Sequence, residues 1–210
     1  MSIPKRRKAD LNMRFYLSGI HVPHRKKTAG TPPAVMSTPK CVVLPTSMHI
    51  GKPAKPVVRV GDDVFVGTLV AEQDGFVSSP VYSSVSGKVE KISEILMANG
   101  TKGTAITVSS DGNMTPDPSI APPQVHSRED LIEAIRASGI VGLGGAGFPT
   151  YVKFNVPTER IEELIINGAE CEPYITSDTH TMVARVDDMA IALEAMEKWL
   201  GIKSGRFSER

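Results

Sequence analysis

Val57-Val-Arg-Val-Gly-Asp-Asp-Val-Phe-Val-Gly-Thr-Leu-Val70 is the stretch that decides how the first half of this 210-residue chain folds. Its valines come in short runs, and Gly61 and Gly67 interrupt them before any strand grows long. Val57-Val-Arg-Val60, Val64-Phe-Val66 and Leu69-Val70 therefore read as short strands joined by glycine turns. Working outward, Gly75-Phe-Val77, Pro80-Val-Tyr82, Val85-Ser-Gly-Lys-Val89 and Thr104-Ala-Ile-Thr-Val108 repeat the pattern. Such close punctuation by Gly and Pro predicts a small all-β sandwich or barrel over residues 41–112.

The text Val58-x-Val60-Gly61-Asp62-x-Val64-x-x-Gly67-x-Leu69, with Pro80 and Ser86-Gly87-x-Val89 after it, resembles the biotinyl/lipoyl hammerhead, a barrel-sandwich hybrid. Domains of that kind carry a lysine between two strands for covalent cofactor attachment. Here the connection reads Glu72-Gln-Asp-Gly75 and holds no lysine, while Lys88 lacks the usual flanking methionine or aspartate. A structural barrel sandwich is expected in place of a swinging-arm carrier.

Upstream, residues 1–40 form a basic, proline-rich arm. Thr31-Pro-Pro33 and Thr38-Pro39 favour extended or irregular backbone. Lys5-Arg-Arg-Lys8 and Arg25-Lys-Lys27 suit a solvated arm, or contact with anionic lipid or a partner. Downstream, Pro116, Pro118, Pro122 and Pro123 obstruct both helix and ladder, so residues 113–126 read as a linker.

Residues 127–210 then begin an α/β domain. Ser127-Arg-Glu-Asp130 is a capping-box-like helix start, Leu131, Ile132 and Ile135 form the apolar stripe, and Gly139 is the stop. Leu164-Ile-Ile166 reads as a strand. From about Asp178 to Leu200, Met182, Val186, Met189, Leu193, Met196 and Leu200 fall on one face of a long helix and are read as core.

Composition narrows the function classes. Hydrophobic residues are 40 % and charged residues 22 %, ordinary for a globular protein, with formal net charge +1. That balance, with 5 % aromatics, argues against a nucleic-acid partner. No apolar run is long enough to cross a bilayer. No apolar region follows Lys5 to Lys8 as it would in a secretory signal. Cys41 and Cys171 stand far apart and outside any Cys-x-x-Cys pair. They fit a reducing compartment and cannot build a zinc or iron–sulfur site, so the chain reads as cytoplasmic.

Function is concentrated in Gly142-Leu-Gly-Gly-Ala-Gly-Phe-Pro-Thr-Tyr151. Four glycines in six positions, Gly142, Gly144, Gly145 and Gly147, strip side chains from the loop. A flat or phosphorylated ligand can then lie on backbone N–H groups. Gly142, Gly144 and Gly147 satisfy G-x-G-x-x-G, yet a helix precedes them and Phe148-Pro149 follows, so the Rossmann context is missing. No Gly-Lys-Ser/Thr closes the run, so it is not a P-loop either. A tight turn would explain one or two glycines but not four followed by Lys153, which is placed to neutralise a phosphate. The second constellation is Asn167-Gly-Ala-Glu170-Cys-Glu172-Pro-Tyr174, at a strand's carboxyl end, where ligands of open α/β sheets gather. An Asn amide can pair with a heterocycle edge, and carboxylates can accept from ribose or ribityl hydroxyls. Glu170 and Glu172 taken alone read equally well as exposed turn residues.

Together, Gly142-x-Gly-Gly-Ala-Gly-Phe-Pro-Thr-x-x-Lys153 and Leu164-Ile-Ile-Asn-Gly-Ala-Glu-Cys-Glu-Pro-Tyr174 closely resemble the C subunit of the Rnf (Rsx) electron transport complex. Gly19-Ile-His21, His49-Ile-Gly-x-Pro-Ala-Lys-Pro-Val57 and Gly75-Phe-Val-Ser-x-Pro-Val81 agree. The glycine loop is shared with the flavin- and NADH-binding 51 kDa subunit of respiratory complex I. The resemblance implies an FMN cradle that admits NADH, formed by Gly142, Gly144, Gly145, Gly147, Phe148, Lys153, Asn167, Glu170 and Glu172. It implies electron flow between NADH and, through [4Fe-4S] clusters, ferredoxin. It also implies partner subunits of a membrane complex and a peripheral place on the inner face of the cell membrane. A cobalamin-reductase-type flavoprotein shares these motifs, and a non-catalytic assembly or docking module of the complex is the other alternative.

The family continues into the rest of the α/β domain and two CxxCxxCxxxCP runs. Neither follows here, so this chain has no cluster ligands. One clear strand and two helices cannot bury a parallel sheet. The tail Lys203-Ser-Gly-Arg-Phe-Ser-Glu-Arg210 reads as polar and unfinished. A truncated product, a split subunit or a fragment is the expectation.

Overall fold

The computed structural model describes residues 22–143, 145–157, 161, 163–202 and 205–208. The basic run from Lys5 to Lys8, Gly144 and the last two residues lie outside them. Contacts divide the chain into two compact units, one of Val35–Ile165 with Ala190–Arg206, the other of the remaining described residues.

The first unit contains a β-sandwich. Its larger sheet has the order β1-β7-β6-β3, from Cys41–Pro45, Lys102–Ser110, Gly87–Leu96 and Asp63–Val64. Its smaller sheet has the order β2-β4-β5, from Lys55–Pro56, Leu69–Glu72 and Val81–Tyr82. These pairings are all antiparallel. The hairpin β6–β7 runs from Leu96 opposite Lys102 to Gly87 opposite Ser110, with a bulge between Val89 and Lys91. Leu44, Val64, Val70, Val81, Val85, Val89, Ile106 and Val108 meet in one cluster drawn from both sheets. Each such side chain gains about 1.5–3 kcal/mol by leaving water.

The sandwich agrees with the expectation from residues 57–70, but its strands sit elsewhere. Val57-Val-Arg-Val60 lies outside any strand. The Arg59 N–H donates to Asp62 Oδ2 at 2.8 Å and the Asp62 N–H to the Arg59 carbonyl at 3.1 Å, folding this text into a turn. Gly75-Phe-Val77 is likewise a bend, with the Asp74 N–H bonded to Ser78 Oγ at 3.1 Å. Strands β6 and β7, ten and nine residues long, exceed the short strands expected. Polar Glu90, Lys91, Ser93 and Glu94 hide the continuation of β6 from any search for apolar runs.

The proline-rich segment after β7 is bonded along the sandwich. Ser86 Oγ donates to Asp111 Oδ1 at 2.7 Å and accepts from the Thr115 N–H at 2.9 Å. Val66 exchanges backbone bonds with Thr115 and Asp117, each 2.9 Å long, and Thr68 Oγ1 donates to Asp117 Oδ2 at 2.5 Å. The Ser86 hydroxyl, then the Asn113 N–H, hold the Asp111 carboxyl below the usual aspartate range. The Ser119 hydroxyl, then that of Thr68, do the same for Asp117.

Helix α1 spans Arg128–Ala137, and Ser127 Oγ caps it by accepting from the Asp130 N–H at 3.1 Å. Asp130 reaches back to the His126 N–H at 3.0 Å. Gly139, at φ +71°, follows the end of the helix as expected. A single helical turn, α2, covers Thr150–Phe154. The single helix expected from about 178 to 200 is two, α3 over Ser177–Ala184 and α4 over Val186–Leu200. Arg185 breaks it at φ −125° and ψ 27°, its N–H shared between the carbonyls of Thr181 at 3.0 Å and Met182 at 3.3 Å. Thr181 bonds its hydroxyl back to the Ser177 carbonyl, and β-branched Val183 and Val186 flank the break, each weakening helix there. On the methionine stripe Leu200 is buried, Val186 is exposed and the others are half-buried. Strand β8, Leu164–Asn167, pairs with β9, Gly205–Ser208, so the tail read as unfinished contributes a strand.

Candidate functional site

The glycine run folds as a hairpin-like loop between α1 and α2. Val141 and Pro149 form an antiparallel bridge. The Gly142 N–H donates to the Phe148 carbonyl and the Thr150 N–H to the Ile140 carbonyl, both at 3.0 Å. No strand of the described residues leads into it, so the loop lacks the strand that a Rossmann fingerprint follows.

Three described glycines of the loop differ in what they do. Gly147 is a packing residue. It sits at φ +66°, and a Cβ there would lie 2.6 Å from the Met48 carbonyl oxygen and 2.8 Å from His49 Cα. The Ile50 N–H donates to its carbonyl at 3.3 Å, tying the loop to the sandwich. A Cβ on Gly145 would meet nothing within 4 Å. One on Gly142 would lie 3.6 Å from Lys153 Nζ, an ordinary contact. Gly142 and Gly145 thus keep open the space that Gly147 does not.

Beside them is a hollow of about 270 Å³ between residues 47–49 of the sandwich and residues 141–143 and 145–147. The N–H groups of Gly145, Ala146 and Gly147 have no protein acceptor among the described residues. Lys153, on α2, turns back so that its Nζ lies 5.8 Å from the Phe148 ring centroid. Its ammonium has no carboxylate partner among the described residues. Free amides lining the hollow, with an ammonium close to Gly142 at its edge, are suited to an anion. The hollow is smaller than the roughly 300–1,000 Å³ of sites that enclose a whole ligand, so it would take one end of a larger molecule.

His49 holds the sandwich side of this arrangement. Its Nδ1–H donates to the Ile50 carbonyl at 3.0 Å and its Nε2 accepts from the Ser79 N–H at 3.2 Å. Those partners assign the proton to Nδ1. Gln73 and Tyr151, which sequence reasoning passed over as site residues, join the sandwich to α2 by a bond of 2.8 Å. The one signal for them in the sequence is Tyr151 placed two residues before Lys153.

Asn167, Glu170 and Glu172 belong to the second unit. Asn167 is exposed, and its Oδ1 accepts from the Ala169 N–H at 3.0 Å. Glu170 caps α3: Oε1 accepts from the Asp178 N–H at 3.2 Å and Oε2 from the Thr179 N–H at 3.2 Å. The hydroxyls of Ser177 and Thr179 donate to it as well. Burial pushes its carboxyl upward, but the Asp178 and Thr179 N–H groups, the Ser177 hydroxyl and the charge of Lys26 outweigh this and lower it. Glu172 is exposed and has no partner of this kind among the described residues. Lys26, read as part of a solvated arm, donates to the Ile175 carbonyl at 2.8 Å, and Thr28 and Thr176 share a hydroxyl bond of 2.8 Å.

Comparison with known proteins agrees with this layout. The RnfC barrel sandwich hybrid domain matches residues 15–113, and the Nuo51 FMN-binding domain matches residues 135–208. Over 197 residues the chain is 43 % identical to the C subunit of the Na(+)-translocating ferredoxin:NAD(+) oxidoreductase complex of Acetobacterium woodii, covering 90 % of this chain and 44 % of that protein. It is 36 % identical to the C subunit of the proton-translocating ferredoxin:NAD(+) oxidoreductase complex of Clostridium ljungdahlii, covering 91 % of this chain and 43 % of that one. The C subunit of an ion-translocating oxidoreductase complex from Rhodobacter capsulatus is 35 % identical, with 88 % and 37 % covered. The chain spans less than half the length of each of these relatives.

Proposed function

We propose, from the premise that this chain belongs to the RnfC family of ion-translocating oxidoreductase subunits and matches its N-terminal part, that it is the flavin- and NADH-binding segment of such a complex. The observation that carries the proposal is a hollow lined by open Gly142 and Gly145 and by amides without a protein acceptor among the described residues, with the Lys153 ammonium close to Gly142 and without a carboxylate partner among the described residues. These residues fit a phosphorylated flavin: the amides and Lys153 would bind the phosphate of FMN, and half-buried Phe148, next to Lys153, would offer an apolar face. On the resemblance alone, the ligand set extends to Gly144, Gly147, Asn167, Glu170 and Glu172.

FMN would supply the exchange between two-electron transfer with NADH and one-electron transfer to iron–sulfur centres. The chain's own part is to bind, orient and neutralise charge. The free cysteines, Cys41 and Cys171, form no cluster site, so [4Fe-4S] centres are assigned to other parts of the complex. Ferredoxin is then met indirectly, through partner subunits. No helix among the described residues is long and apolar enough to cross a membrane, and a peripheral place on the inner face of the cell membrane is part of the proposal.

A second reading, an assembly module that binds no flavin, draws support from the small volume of the hollow. Co-purification with the complex's membrane subunits separates the two. Retained flavin and NADH oxidation by an added acceptor support the first; assembly without either supports the second.

A further inference from the structure

The turn between β4 and β5 reaches across to the helices that flank the glycine loop. Gln73 Nε2 donates to Tyr151 Oη at 2.8 Å, and Arg136 Nε on α1 donates to Gln73 Oε1 at 2.7 Å. The Tyr151 hydroxyl in turn donates to the Phe76 carbonyl. The Phe76 ring stands edge-on to Tyr151, with centroids 6.2 Å apart and planes at 78°, and the Arg136 guanidinium lies 5.9 Å from the Tyr151 ring centroid. All these residues belong to the same compact unit.

Tyr151 is buried and is the second residue of α2, a helix of five residues whose N-cap, Pro149, supplies no side-chain bond. A helix far shorter than about 12–15 residues does not hold itself in water, so tertiary anchorage decides where α2 lies. Lys153 is two residues further along the same turn. We propose that Gln73 and Tyr151 are positioning residues for the ligand loop: the sandwich turn fixes α2 and so aims Lys153 across Phe148 and Gly142. For its ligand the inference rests on the FMN reading above; for its geometry it rests on these contacts.

Tyr151→Phe keeps the ring and removes both hydroxyl bonds, and Gln73→Leu breaks the bridge from the sandwich side. The full chain is compared without ligand by amide hydrogen exchange. Exchange at Gly142 and Thr150, whose N–H groups close the loop, quickens about fivefold or more in either variant, while Val89, Ile106 and Val108 are unchanged. FMN is then titrated into wild type, Tyr151→Phe, Lys153→Met and the double variant. Tyr151→Phe weakens binding about fivefold with Lys153 present and adds nothing once Lys153 is Met. Loop exchange indifferent to both substitutions, or an equal loss of FMN affinity in both backgrounds, overturns the proposal. If wild type takes up no FMN while loop exchange still responds, the FMN reading falls and the positioning role stands.

Discussion

The sandwich and the helices α3 and α4 place their apolar residues in opposite ways. In the sandwich, Val64, Val70, Val89, Ile106 and Val108 are almost wholly buried, and both sheets close on them. Along α3 and α4 the one buried residue is Leu200, while Val183 is 75 % and Ile191 66 % exposed. Helix α3 is held at its N-terminus by hydrogen bonds to the Glu170 carboxylate. One region is thus stabilised by a dry core that the chain supplies for itself. The other is held by polar bonds at its start and leaves apolar side chains toward water. The glycine loop belongs with the first region, since Gly147 rests on Met48 and His49.

The sharpest way to break this comparison is a pair of truncations followed by chemical denaturation. Ile106→Ala is expected to cost about 2–5 kcal/mol, through lost burial and the cavity left behind. Val183→Ala is expected to stay within about 0.5 kcal/mol. Equal costs would mean that α3 contributes a core after all.

A second pair sharpens the division within the loop. Gly147→Val forces a side chain into the left-handed region and against the Met48 carbonyl, costing about 1–3 kcal/mol from backbone strain alone. Gly145→Val points into open space and is expected to leave the melting temperature nearly unchanged.

Acid titration tests the polar seam of the sandwich. Asp111 and Asp117 have folded-state pKa values lowered by hydrogen bonds. Their contribution is therefore complete above the ordinary carboxylate range, near pH 4, and is lost as pH falls through the lowered values. Ser86→Ala removes the first donor to Asp111 and should flatten the fall of melting temperature with acid. An unchanged slope would show that Asp111 does not contribute. The smallest effect is expected from Glu170→Gln. The same sign applies, so the helical amide shifts of α3 should lose their acid dependence while the sandwich shifts keep theirs.

These contrasts also explain what the sequence discloses. Gly and Pro punctuation marks turns wherever it occurs, so a sandwich is legible even though Val57-Val-Arg-Val60 proves to be a turn. The break at Arg185 is not legible, because the apolar spacing runs through it and no Gly or Pro marks it. The four glycines and Lys153 are what single out the loop as a candidate ligand site in the sequence. The separate tasks of Gly145 and Gly147 are not, because Met48 and His49, which distinguish them, lie about a hundred positions earlier. Gln73 and Tyr151 escape notice for the same reason, being 78 residues apart. Glu170 shows the reverse limit: its type suggests a ligand carboxylate, while the helix it caps begins seven residues later, at Ser177.

Titrating FMN into the purified chain and following flavin fluorescence tests the central claim most directly. A loop that holds the FMN phosphate gives saturable quenching with wild type, binding about tenfold or more weaker with Lys153→Met through loss of a charged hydrogen bond, and none with Gly145→Val. Fluorescence that stays unchanged at high protein, or identical affinity in all three proteins, would contradict it.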